Sequence, residues 1–227
     1  MSIKDYAIWG LLPTDPEWPT GLWHLGTAMP EKLYGIGAPL SNEEPSLAVV
    51  GARAATGYGD HFTRQMVSDL GPKVTIVSGG AYGIDGAAHR QAVSQGGTTI
   101  AYMAGGADRV YPAGHTQLFE DILAHGGTIL SEREPGATPD RWSFLQRNRL
   151  IAAHAQGVVV VEAGFRSGSL NAARHARDLG RPLGAVPGPT TSAASAGCHV
   201  LIREGATLIR SADDVRDMIR PSLGQED

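Results

Sequence analysis

The chain has 227 residues and a mass of 23.8 kDa, which fits one substantial domain with at most a short appendage, not two full domains. Apolar residues make up 42% and charged residues 19%, so the chain can bury a core and is not disordered by composition. A lone cysteine, Cys198, excludes a disulfide framework, and a net charge of −4 argues on its face against a nucleic-acid partner.

The first 46 residues hold prolines at positions 13, 16, 19, 30, 39 and 45 and tryptophans at 9, 18 and 23. Such a pattern breaks any long helix. Residues 1–46 are therefore expected to form an extension of turns and short helices, packed on a sheet by the tryptophans. The N-terminus does not read as a signal peptide, and no stretch approaches the roughly 20 apolar residues of a membrane helix. A cytoplasmic chain without membrane contact is expected.

From residue 47 onward, short β-rich apolar runs alternate with helical patterns. Strands are predicted over 47–51, 73–78, 98–103, 128–131, 157–162, 183–186 and 207–209, spaced by about one strand plus one crossover helix. Several are continuous apolar runs, as in strands covered on both faces. Helices are predicted over 60–70, 84–95, 116–125, 144–155, 169–179 and 213–219. Ile84, Ala87, Ala88 and Ala92 form a stripe of small residues that lets a helix sit close to the sheet. The fold class is α/β: an open, mostly parallel sheet with helices on both faces, spanning 47–219 and followed by a disordered tail at 220–227.

In such a sheet the loops at the carboxyl ends of the strands line the edge where ligands bind. Here they are rich in glycine: Gly51–Gly59, then Ser78–Asp85 with Gly79, Gly80 and Tyr82, then Ala104–Asp108, and Ala163–Ser169 with Arg166, Ser167 and Gly168. Glycine allows close backbone approach, and a helix starting next points free N–H groups at an anion. For any single loop a tight strand-to-helix turn accounts for the glycines; several on one rim favour a phosphate-bearing ligand. No P-loop and no dinucleotide fingerprint occurs, which disfavours a nicotinamide cofactor. No cofactor is expected.

Charge is segregated. Between Arg133 and Arg181 there are eight arginines against four acids, a local balance of +4, whereas the remainder has eleven basic and nineteen acidic residues, a balance of −8. Within this stretch Arg141, Trp142, Phe144, Arg147, Asn148 and Arg149 open a helix. Basic groups interleaved with aromatics suit single-stranded nucleic acid, where phosphates need charge and unpaired bases need a stacking surface. The alternative is that Trp142 and Phe144 are core and the arginines a solvated helix face. Asp85 and His89, at i, i+4, are a weak metal pair or a hydrogen bond near a helix start; no metal site is expected. Glu162 ends a strand beside Arg166, as a base or an ion-pair partner.

Taken in order, these segments resemble the DNA-processing protein A (DprA/Smf) family. The resemblance is carried by Val49-Val50-Gly51-Ala52-Arg53 with Tyr58-Gly59, and by Ser78-Gly79-Gly80-Ala81 with Gly83-Ile84-Asp85 and Ala88-His89. Tyr111-Pro112, Ser131-Glu132, Phe144 with Arg147-Asn148-Arg149, Glu162-Ala163 with Ser167-Gly168-Ser169, and Pro187-Gly188 continue it. Upstream, Asp15-Pro16-Glu17-Trp18-Pro19 and Leu33-Tyr34-Gly35 fit the same pattern. The chain departs from it at Ala52, where the family has serine, at Tyr82, where many members have Lys or Arg, and at Leu145 in place of proline. It resembles a short form lacking the C-terminal winged-helix-like module.

The resemblance implies a Rossmann-like domain that binds single-stranded DNA without catalysis, dimerises, and loads RecA recombinase in natural transformation. It implies that Arg53 grips a phosphate, that Arg141 contacts the backbone while Phe144 stacks a base, and that the Gly79–Gly80 and Ser167–Gly168 loops supply backbone donors. Tyr82, Arg147, Asn148, Arg149 and Arg166 complete the expected DNA-binding set. A homodimer face is expected from the late strands and the segment 197–204. The enzyme alternative is a nucleotide-binding or LOG-like phosphoribohydrolase, whose PGGxGTxxE loop the segment Glu162–Ser169 does not match.

Overall fold

The computed structural model of the chain describes residues 2–41 and 45–220; positions 221–227 of the expected tail lie outside the described residues. Among the described residues the strands are β1 (Ile8–Leu11), β2 (Leu33–Gly37), β3 (Ser46–Gly51), β4 (Thr75–Ser78), β5 (Thr99–Tyr102), β6 (Thr128–Ser131), β7 (Gly157–Val161), β8 (Leu183–Ala185) and β9 (Thr207–Leu208). They form one sheet in the order β1-β2-β6-β5-β4-β3-β7-β8-β9. The seven strands from β3 to β9 run parallel; β2 pairs antiparallel with both β1 and β6. The helices are α1 (Gly57–Leu70), α2 (Ile84–Ser94), α3 (Thr116–Ala124), α4 (Arg141–His154), α5 (Ser169–Asp178), α6 (Ala196–Arg203) and α7 (Ala212–Ile219).

The two-residue period of the strands divides the core between two faces. Leu47, Val49, Val159 and Val161 pack under α1, α2 and α7, while Ala48, Val50, Val158 and Val160 pack under α4, α5 and α6. Continuous valine runs are what such two-sided burial requires. Ala87, Ala88 and Ala92 of α2 are buried, as the small-residue stripe predicts.

The N-terminal segment differs from its expected form, because it adds two strands to the sheet. Its prolines flank the runs Ile8–Leu11 and Leu33–Gly37 without interrupting them. Glycine in β2 leaves room for Trp9: a Cβ at Gly35 would run into the Trp9 ring, whose Nε1–H donates to the Gly37 carbonyl at 3.1 Å. Trp18 is buried, but Trp23 is 53% exposed. The second difference is α6. Its Cys198 and Leu201 are turned into the chain's own core, and burial pushes the Cys198 thiol up to about 11.

Asp85 and His89 do not converge. The His89 Nδ1 lies 2.7 Å from the Thr99 hydroxyl, which itself donates to the Ile76 carbonyl at 2.7 Å. Thr99 therefore accepts, and the imidazole proton sits on Nδ1, leaving a buried Nε2 without a partner among the described residues. Burial, aided by the charges of His115, Arg147 and Arg90, lowers the His89 pKa to about 3. Between that value and the unfolded pKa of about 6.5, the unfolded state binds the extra proton, so stability falls as pH falls. Chemical denaturation is expected to show wild type losing up to about 1.4 kcal/mol more per pH unit below pH 6.5 than His89→Gln. Equal acid sensitivity of the two proteins would show that His89 does not carry this loss.

Candidate nucleic-acid interface

Strand order reverses between β3 and β7, the place where an open α/β sheet leaves a crevice outside its carboxyl ends. A cleft of about 420 Å³ lies there, walled by Gly51–Arg53 at the end of β3, by Phe144, Leu145 and Asn148 of α4, and by Ser167–Ser169 at the start of α5. Glycine makes this packing possible. A Cβ at Gly51 would run into the Val161 carbonyl, and one at Gly83 into the Ala52 carbonyl. Gly83, at φ +74°, admits the turn into α2, and the Ile84 N–H donates to the Ala52 carbonyl at 3.2 Å.

The exposed Arg53 is thereby raised against the α4 wall. Its guanidinium carbon stands 5.4 Å from the centroid of the Phe144 ring, within cation–π range. Tyr111, 49% exposed, meets Phe144 edge-on from the loop after β5, with centroids 5.4 Å apart. Tyr82 is 47% exposed and packs edge-on against His115 at 4.7 Å, while His115 Nδ1 bonds the Gly80 carbonyl at 3.0 Å. A positive group and three rings, Arg53 with Phe144, Tyr111 and Tyr82, thus line one small pocket that shares Arg53 and Phe144 with the cleft.

The start of α4 is held by a reciprocal cap. Asp140 accepts the Ser143 N–H at 2.8 Å, and the Ser143 hydroxyl accepts the Asp140 N–H at 2.8 Å. The Ser143 N–H holds the Asp140 carboxyl below its usual range. This cap presents the exposed Arg141 at the first helical position, one turn before Phe144. Across the cleft, Asn148 donates from Nδ2 to the Gly168 carbonyl and to Asn171 Oδ1, both at 3.2 Å, locking α4 to α5. The Ser167 hydroxyl pairs with that of Ser169 at 2.7 Å, and Gly168 and Arg166 are exposed.

Three expected contributors are engaged inside the protein. The amides of Gly79 and Ala81 donate to one Asp85 oxygen at 3.2 and 3.3 Å, and Gly79 and Gly80 are buried, so the Gly79 amide is not offered to a ligand. Arg147 is 5% exposed; it donates to the Tyr102 carbonyl at 2.6 Å and fills the space beside Gly79. Burial brings its pKa down to about 10, with Asp85 opposing and Arg53 adding to the shift. Burial likewise raises the Asp85 pKa, against the charge of Arg147. Arg149 forks onto both Glu132 oxygens at 2.7 and 2.6 Å and reaches the Ala28 carbonyl at 3.0 Å.

Among the described residues Glu162 forms no ion pair with an arginine. Its buried carboxylate accepts the Thr56 N–H at 2.8 Å and the Thr56 hydroxyl, and so holds the N-cap of α1. Sequence reasoning quoted Tyr111 only as part of a family motif. Its position just after the Ala104–Asp108 rim loop was the signal that it borders the site. Trp142, read as possible core, is 72% exposed.

The chain matches the family model described as DNA recombination-mediator protein A over residues 9–220. A Mycobacterium tuberculosis protein named for DprA-type DNA processing is 51% identical over 202 residues, covering 88% of this chain and 49% of its own length. The chain spans about half the length of the curated relatives it matches. The crystal structure of DNA processing protein A from Streptococcus pneumoniae aligns with TM-score 0.85 at 36% identity, covering 95% of this chain and 75% of the other. The Helicobacter pylori structure, described for its single-stranded DNA binding mode, aligns with TM-score 0.81 at 29% identity, covering 93% and 95%. Among the described residues no helix is long and apolar enough to cross a membrane.

Proposed function

This chain belongs to the DNA recombination-mediator protein A (DprA/Smf) family, and we propose that its switch-point cleft binds single-stranded DNA without catalysis. The observation that carries the proposal is Arg53 held over the Phe144 ring at the cleft mouth. Charge and a stacking face are what an unpaired strand needs together. Arg53 and Arg141 neutralise phosphates, Phe144 buttressed by Tyr111 takes a base, and Tyr82 offers a second ring. Arg166, Ser167 and Gly168 meet the strand from the α5 wall, and Asn148 fixes the separation of the walls. Arg147 and Arg149 act as positioning residues from within. Around this binding step we place protection of incoming DNA and its delivery to RecA recombinase in natural transformation, by a cytoplasmic homodimer. The H. pylori relative, described for its single-strand binding, supports the ligand class. A LOG-like hydrolase gains no support from Glu162, whose carboxylate is taken by Thr56.

Fluorescence anisotropy with a labelled oligonucleotide tests the proposal. Affinity is expected to fall with salt, at a log–log slope of about −0.7 per phosphate neutralised, and to exceed that for the matching duplex. Binding that ignores salt or prefers duplex overturns it.

A further inference from the structure

The two most exposed large apolar side chains on the binding edge take no part in the contacts described above. Trp142 is 72% exposed and Phe165 is 73% exposed, a large apolar area left in water. They flank opposite walls of the cleft without lining it. Trp142 is one turn ahead of Leu145, which lines the α4 wall; Phe165 is two residues before Ser167, which lines the α5 wall. The bond from Asn148 to Gly168 fixes the level at which these walls meet. Trp142 precedes Asn148 by six helical steps, so its backbone lies roughly 9 Å farther out along α4.

Each ring is also the neighbour of an exposed arginine, Arg141 beside Trp142 and Arg166 beside Phe165. Neither arginine joins an ion pair among the described residues. An exposed ring next in sequence to an unpaired guanidinium, on both sides of a cleft where Arg53 already lies over Phe144, suits a polyanion bearing flat apolar units better than an apolar protein surface. We propose that Trp142 and Phe165 are flanking stacking platforms, which take the bases on either side of the one held at Phe144. The strand is then gripped over a tract longer than the cleft. This rests on the single-strand reading above.

Oligothymidines of about 4 and about 16 nucleotides, bracketing usual single-strand footprints, separate the two ideas. Trp142→Ala and Phe165→Ala are each expected to lower affinity for the longer strand by roughly 5- to 150-fold. Their loss on the shorter strand is smaller, whereas Phe144→Ala shows its full loss already on the shorter one. Trp142→Tyr and Phe165→Tyr recover most of the affinity. Indole emission of wild type is quenched by the longer strand, and Trp142→Phe abolishes that component. Equal losses on both lengths, or none, overturn the flanking platforms while leaving the cleft as the binding site. Failure of wild type to bind either strand instead removes the single-strand reading, and the platforms with it.

Discussion

Replacing Phe144 with alanine is expected to cost about 1–3 kcal/mol of single-strand affinity while leaving the salt dependence of binding in place. Arg53→Ala is expected to behave differently, flattening the log–log salt slope by about 0.7, because it withdraws one phosphate contact. The two side chains are in contact, with the guanidinium 5.4 Å from the ring centroid, so their losses should not add. Phe144 orients Arg53, and Arg53 polarises the face on which a base would lie. A double-mutant cycle should return a coupling of at least about 0.5 kcal/mol. Additive losses would mean that the strand engages them separately, and an unchanged slope in Arg53→Ala would place the phosphate contact elsewhere.

The largest expected effect on stability lies a few ångströms inward. Arg147→Met is expected to destabilise the fold by about 3 kcal/mol, since it strands the Tyr102 carbonyl and removes the positive charge facing buried Asp85. The loss should appear as a lower urea midpoint with unchanged slope. Arg147→Lys keeps the charge without the planar fork and should recover only part of it. Arg141→Ala, on the exposed first turn of the same helix, should stay within about 0.5 kcal/mol of wild type. If Arg147→Met proves equally mild, Asp85 and the loop it holds do not depend on that guanidinium.

Most of the parallel sheet was legible because its strands inside the β9 edge are buried on both faces. The run 128–131 was placed at its observed ends, and 157–162 differs by one residue from Gly157–Val161. Glu162 was the extra residue: its positive φ of 55° ends the strand and turns its carboxylate under α1. Strands β1 and β2 were illegible for the reason that proline density around them dominates a local reading. Their pairing with each other and with β6 is long-range, and nothing in the sequence of Ile8–Leu11 announces it. Helix α6 was hidden behind a stretch rich in Pro, Ser, Thr and Gly, with Gly197 inside its first turn. At the site, the family resemblance pointed to Arg53 and Phe144 together, and the structure brings them into contact, but only the tertiary arrangement separates Arg141, which faces solvent, from Arg147, which faces inward six residues later. Helical periodicity cannot choose between them when both walls of a helix are lined, one by a cleft and one by core.

Asp85 reaching back to the amides of Gly79 and Ala81 has one more consequence. In many nucleotide-binding folds such amides are left bare and clasp a single phosphate tightly; here a carboxylate already occupies them. A free mononucleotide would therefore meet an internal competitor of its own sign at these amides. What remains is a series of modest, spatially separated grips. Under the proposed single-strand reading, such a surface rewards a ligand that can engage several of them at once, so avidity along a continuous polymer, not affinity for its monomer, would set what this edge retains.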